Sequence, residues 1–222
     1  MDSLVIARGG IEDHSFRPSR TFALARRAWV AFALAVLLGV LTAWAGRYEA
    51  PVPTASGDGD ATLPMWRLLT MGVGTLPALG LHSALRGLEE VGTDVHRRAE
   101  RRYLLCLSLA CAGAYLAVAA SALDLPVAGI ILRSLPGWLG LALVSGRFLG
   151  WRLAWVLPAG ALCVLVYWGS TGDGGHHEWW EFSARPHDDV PSLLLSLCLL
   201  LGGVTAASAT SWRAARLTGG RA

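Results

Sequence analysis

The segment 169–190 holds the side chains with the best prospects for chemistry in this sequence. Imidazole and carboxylate groups are ligands that zinc takes in proteins, and several stand close together here. The candidate ligands are His176, His177, Glu178, His187, Asp188 and Asp189. Their spacing matches no established metal motif. The sequence therefore predicts no metal site and no cofactor.

Catalytic groups are equally sparse. The acidic pair Glu89 and Glu90 resembles the diacidic motif of a membrane-embedded protease family, but Asp94 stands at the sixth position, where that motif has arginine. The basic residues are all arginine, so the chain lacks the lysine of an ATP-binding Walker loop. No nucleophile lies beside a candidate base. We expect a protein that is not an enzyme.

The four cysteines also offer no chemistry. They are Cys106, Cys111, Cys163 and Cys198, and each falls inside an apolar stretch without a partner at metal-ligand spacing. Buried cysteine commonly behaves as a small hydrophobic side chain. We expect all four to be core residues.

The elements that must position these groups are long apolar stretches. Hydrophobic residues make up 54% of the 222-residue chain and charged residues only 16%, against about 25% charged in soluble domains. Five stretches are close to the 20 residues that cross a bilayer: 28–46, 64–85, 103–123, 153–168 and 191–211. A further stretch lies between the third and fourth of these. Together the six stretches predict an all-α transmembrane bundle of about six helices over 28–211. The segments 1–27 and 212–222 are the predicted cytoplasmic termini.

The start of the fourth helix is open to two interpretations because of Arg133. A helix over 127–146 would bury Arg133 about 10 Å deep, at a cost of at least ~2.5 kcal/mol. A helix over 135–151 would begin after Ser134, with Pro136 in its first turn, where proline is tolerated. We favour the second. Arg67 stands at a similar border, and we expect both arginines to extend to the interface.

Charge decides the predicted orientation. Arginines concentrate in the amino-terminal segment, in 86–102, around 147–152 and in the tail, whereas the intervening loops are acidic. Positive loops stay in the cytoplasm. The distribution predicts a protein of the cell membrane with both termini in the cytoplasm. The arginines are dispersed at helix ends, which argues against a nucleic-acid partner.

Two loops have the composition of contact surfaces. The predicted cytoplasmic segment 86–102 mixes charges with a thin apolar stripe, which favours either a solvated connector or a docking element for a protein partner. Its candidate docking residues are Glu89, Glu90, Arg97, Arg98, Arg101 and Arg102. On the opposite side, Trp179, Trp180 and Phe182 are typical of an interfacial helix or re-entrant turn at the lipid headgroups.

The carboxyl half carries RSLPGWLGLALVSGRFLGWRLAWVLP (133–158), a Trp-rich loop and the acidic pair Asp188–Asp189. In these features, over roughly 130–212, it resembles ABC-2-type transporter permeases of high-GC bacteria. The resemblance implies six helices, both ends inside, a connection after the second helix that contacts an ATPase, and a membrane-dipping segment before the sixth helix. The compact size and short amino-terminal segment depart from that pattern.

Two functions are carried forward from the sequence. The first is a permease subunit in the lipid bilayer, dimeric and energised by a separate ATP-binding subunit. The alternative is a non-transporting membrane scaffold or regulator that binds a cytoplasmic partner through 86–102. The sequence names no cargo.

Overall fold

The fold is described by a computed structural model covering residues 28–53, 60–81, 94–171 and 176–208. These residues form six α-helices and two very short hairpins. The elements in chain order are α1 (Ala28–Ala45), β1 (Glu49–Pro53), β2 (Asp60–Pro64), α2 (Met65–Leu79), α3 (Asp94–Ala119), α4 (Leu125–Phe148), a 3-10 turn (Trp151–Leu153), α5 (Val156–Trp168), β3 (Ser170–Thr171), β4 (His176–His177) and α6 (Val190–Ser208).

Five helical segments among the described residues are long and apolar enough to cross a membrane, which supports the prediction of a membrane protein. They are Ala28–Ala45, Glu100–Ala119, Leu125–Phe148, Trp151–Trp168 and Val190–Ser208. The second predicted stretch, 64–85, contains only the 15-residue α2 among the described residues. At 1.5 Å per residue, α2 is about 22 Å long, shorter than the hydrocarbon core.

Helix α4 begins earlier than the favoured prediction, and that prediction is wrong. The helix starts at Leu125, with Pro126 in its first turn, and continues through Pro136 to Phe148. Arg133 therefore lies inside the helix, as in the alternative over 127–146. The predicted cost of burying Arg133 is met by acceptors in a loop distant in sequence.

Helix α4 is the centre of the bundle. In its most apolar window 56% of the residues are buried, against at most 28% in the other four candidate spans. Trp138, Ala142 and Leu143 on this helix are fully buried. The remaining helices expose large apolar side chains, as expected for surfaces that face lipid rather than water.

Helices α4 and α6 approach backbone to backbone at two glycines. A Cβ added to Gly140 would lie 2.2 Å from the Leu199 carbonyl oxygen, and one added to Gly203 would lie 2.4 Å from the Gly140 carbonyl oxygen. Small residues allow such contact where lipid supplies no hydrophobic drive between helices.

Replacing Gly203 with alanine is expected to force α6 away from α4 and to destabilise the bundle by about 1–3 kcal/mol. The matched control is Gly202→Ala on the same helix, where an added Cβ meets nothing within 4 Å. Equilibrium unfolding in mixed micelles compares the two variants. Equal stabilities would contradict the close approach.

A buried hydroxyl cluster joins the first three helices. The Tyr115 hydroxyl lies 3.0 Å from Thr42 Oγ1 on α1 and 3.0 Å from Thr70 Oγ1 on α2. Each threonine hydroxyl also lies within hydrogen-bond distance of the carbonyl four residues earlier, Leu38 or Trp66. Polar contacts between helices are a common means of association in membranes.

The expectation for the cysteines needs correction. Among the cysteines only Cys111 is buried, whereas Cys106, Cys163 and Cys198 are exposed on the surface of the protein. An exposed position on a membrane-spanning helix faces apolar lipid, so hydropathy alone does not separate it from the core.

Candidate functional site

Among the described residues, the buried charged side chains gather where the loop between α5 and α6 meets α2 and α4. This loop, residues 169–189, is here called the α5–α6 loop; its described residues are 169–171 and 176–189. It opens with the two-residue hairpin β3–β4, in which Ser170 pairs with His177 and Thr171 with His176. The Glu178 backbone N–H then donates to the Gly169 carbonyl over 2.9 Å.

Arg133 on α4 is enclosed by backbone carbonyls of the α5–α6 loop. Its side chain is 5% exposed. Nη2 donates to the carbonyls of Phe182 at 3.1 Å and Arg185 at 2.8 Å. Nη1 donates to the Pro186 carbonyl and, at 3.5 Å, to that of Asp189.

The planar guanidinium has five N–H donors in a fixed arrangement, so one side chain can hold several carbonyls at once. Carbonyls of one loop thus offset the cost of placing this charge in an apolar helix.

Arg67 on α2 holds the same loop through a buried ion pair. Its Nη2 lies 2.7 Å from Glu181 Oε1, and the two side chains are 5% and 1% exposed. Ser183 completes a triangle: its hydroxyl accepts from Arg67 at 2.8 Å and donates to Glu181 Oε1 at 2.7 Å. Charged hydrogen bonds of this kind are stronger than neutral ones. Removing one member of such a buried pair leaves the other charge without a partner and strongly destabilises the fold.

The end of the loop is fixed to α6 by Asp189. Arg185 Nη2 lies 2.9 Å from Asp189 Oδ1, and Asp189 Oδ2 accepts from the Ser192 backbone N–H at 3.0 Å and from its hydroxyl at 2.6 Å. This is the geometry of a helix N-cap.

The environment of Asp189 favours its charged form. Burial alone would raise the pKa of Asp189, but the bonds from Ser192 and the Arg185 guanidinium outweigh it and lower that pKa below 3.8. A lowered folded-state pKa means that the cap stabilises the fold at pH values above the unfolded pKa. That stability is lost as the pH falls through the folded pKa.

Arg67 and Arg133, the predicted membrane-border charges, do not extend into solvent. Both are buried and bind the α5–α6 loop. Sequence reasoning missed their partners, Glu181, Ser183 and the carbonyls of 182–189. A signal was present, because two charges in apolar helices require acceptors, and this polar loop is predicted at the same membrane border.

The aromatic residues of the loop separate into different environments. Trp179 is 66% exposed, and Trp180 is half-buried against the cluster around Trp138 and Leu162. Phe182 is 3% exposed, and its ring centroid lies 4.9 Å from that of Trp138. Phe182 therefore belongs to the core, and an interfacial position is open to Trp179 but not to Phe182.

The candidate docking residues are only partly described. Glu89 and Glu90 lie outside the described residues, as does the side chain of Arg97. Arg98, Arg101 and Arg102 lie in the first turns of α3 and are exposed. The structure brings none of these three to the arginine-bound loop.

The contacts of this site hold a loop and three helices together. Within the described residues, no three His, Cys, Asp or Glu side chains are grouped to hold a metal ion. What the arrangement does is tie the α5–α6 loop to α2 through Arg67, to α4 through Arg133 and to α6 through Asp189. No family model, curated protein or solved structure matches this chain.

Proposed function

We propose that this chain is the membrane-spanning permease subunit of an ABC-type transporter, energised by a separate ATP-binding subunit and acting as a dimer in the cell membrane. In this proposal α2 also crosses the bilayer, giving six spans with both termini in the cytoplasm. Arginine enrichment in the predicted cytoplasmic segments supports that orientation.

The observation that carries the proposal is the length of α3. This helix has 26 residues, Asp94–Ala119, or about 39 Å, whereas the hydrocarbon core is about 30 Å thick. Its apolar span is Glu100–Ala119, so the helix continues without a break into the arginine-rich segment. A partner bound there would be joined rigidly to a transmembrane helix.

A continuous helix suits energy coupling because a displacement of its arginine-rich end is transmitted to its apolar span. Arg98 on the extension, and Arg101 and Arg102 at the start of the apolar span, are exposed and are available for acidic groups of a cytoplasmic protein. The arginine-bound α5–α6 loop fixes α2, α4 and α6 together at the end of the bundle far from the α3 extension. In this proposal that end stays fixed while the end that carries the extension moves. Movement would then take place as a rigid-body rearrangement of helices.

Co-purification from gently solubilised native membranes tests the proposal. We expect a stoichiometric ATP-binding protein to accompany the chain, and its recovery to fall about tenfold when Arg97, Arg98, Arg101 and Arg102 are changed to alanine, because interfacial charge pairs are lost. The control variant removes Arg213, Arg216 and Arg221, three of the other arginines on the same predicted side.

Topology is checked in both variants by cysteine labelling, because arginine removal can reorient a membrane protein. A chain recovered alone would contradict the permease. Recovery with a partner that lacks an ATP-binding domain would favour the scaffold or regulator instead.

A further inference from the structure

A lateral groove opens on the bundle near the first turns of α4. Its volume is about 410 Å³, within the range of about 300–1,000 Å³ of small-molecule sites. The walls come from α3, α4 and the α5–α6 loop. The principal lining residues are Leu116, Leu125, Ala128, Gly129, Leu132 and His187.

The lining of the groove favours the binding of a hydrocarbon chain. Apart from His187 every lining residue is apolar, and Leu125 and Leu132 are 84% and 60% exposed at its edges. These positions belong to a helix long and apolar enough to cross a membrane. In a bilayer, the medium that reaches such a groove is lipid.

Gly129 deepens the groove where the loop crosses it. A Cβ on Gly129 would lie 3.0 Å from the His187 Cβ, so glycine leaves room for the imidazole to pack close to the helix. His187 is exposed and forms the only polar part of the lining. The groove therefore has one polar margin and otherwise apolar walls, which matches an amphiphile.

The residues beside the groove carry charges of both signs. Asp124 immediately precedes Leu125 and lies 3.6 Å from Arg47. Asp188 follows His187, is exposed, and makes no ion pair within the described residues. Arg185 is occupied by Asp189 at 2.9 Å. Asp188 therefore offers an exposed carboxylate to an ammonium group at this margin, and its neighbour His187 lines the groove.

We propose that the groove is a binding site for one phospholipid, an acyl chain lying along 125–132 and a zwitterionic phosphoethanolamine head at Asp188 and His187. An anionic head would lack the ammonium that complements the free carboxylate. The site is independent of the proposed transport function, since it requires only that the chain lies in a membrane.

Native mass spectrometry of the full chain, released from nanodiscs with equal phosphatidylethanolamine and phosphatidylglycerol, tests the site. We expect one phosphatidylethanolamine to remain per chain. Ala128→Phe fills the groove and abolishes retention, whereas Ala110→Phe, at an exposed position on α3 away from the groove, leaves it intact.

The head group is tested by Asp188→Asn, an exposed position whose change spares the core. It is expected to reduce the preference for phosphatidylethanolamine over phosphatidylglycerol about fivefold, as for the loss of one charge contact. Glu49→Gln, another exposed carboxylate, is the control and keeps the preference.

Thermal midpoints show whether each variant is folded. If Ala128→Phe fails to fold, the Asp188→Asn result decides. Equal retention of both lipids by the wild-type chain, retention of detergent only, or an unchanged preference in Asp188→Asn would overturn the proposal.

Discussion

Replacing Arg133 with leucine is expected to lower the free energy of unfolding by about 3–5 kcal/mol. The substitution removes the donor shared by the carbonyls of Phe182, Arg185, Pro186 and Asp189. The bond to the Phe182 carbonyl is buried and the other three are partly buried, and an acceptor that is removed from water and left without a donor retains its desolvation cost. Denaturant titration in mixed micelles measures the loss.

The matched control for Arg133→Leu is Arg47→Leu. Arg47 also donates to a carbonyl, that of Ala122 at 3.0 Å, but its side chain is 71% exposed. An exposed pair contributes about 0–1 kcal/mol. If both variants lost the same stability, the hydrogen bonds from Arg133 to the loop carbonyls would contribute no more to stability than an exposed contact does. Arg133→Lys is expected to fall between, because one ammonium nitrogen cannot occupy both Nη positions.

The second large effect is expected at the pair between Arg67 and Glu181. Arg67→Met leaves the Glu181 carboxylate buried and without its cation, as Glu181→Leu leaves the guanidinium without its anion, and each is expected to cost about 3–5 kcal/mol. The double variant removes both charges and is expected to cost less than the sum by a coupling energy of about 2–3 kcal/mol.

An exposed pair serves as the comparison for this double-mutant cycle. Arg47 and Asp124 lie 3.6 Å apart, with side chains 71% and 76% exposed. Their coupling is expected to stay below about 1 kcal/mol. Additive losses for Arg67→Met and Glu181→Leu would show that the ion pair does not hold the α5–α6 loop to α2.

These two arginines make the loop unusual for a connection between helices. Loops commonly lie on the surface and tolerate change, whereas this loop carries a buried glutamate and a buried phenylalanine, Glu181 and Phe182. Substitutions at 181–183, which are all buried, should therefore act as core substitutions. In the proposed permease, this fixed end would be the pivot for movements driven from the α3 extension.

The sequence by itself determined the membrane class, the approximate position of the helices and the absence of a recognisable metal motif. Apolar stretches long enough to cross a bilayer depend on composition over about 20 residues, which is a local property. The helix bounds of α1, α5 and α6 follow from such stretches because charge or turn residues flank them. The proposed orientation likewise rests on arginine counts alone.

Only the tertiary structure decided what the two buried arginines do. Local energetics favoured starting α4 after Arg133, because an unpaired arginine in an apolar helix is costly. The cost disappears when carbonyls about fifty positions away in the chain fold over the guanidinium. The same holds for Arg67, whose partner Glu181 is 114 positions distant. Pairings at that separation leave no periodicity in the sequence, so the burial of these side chains is a property of the folded chain.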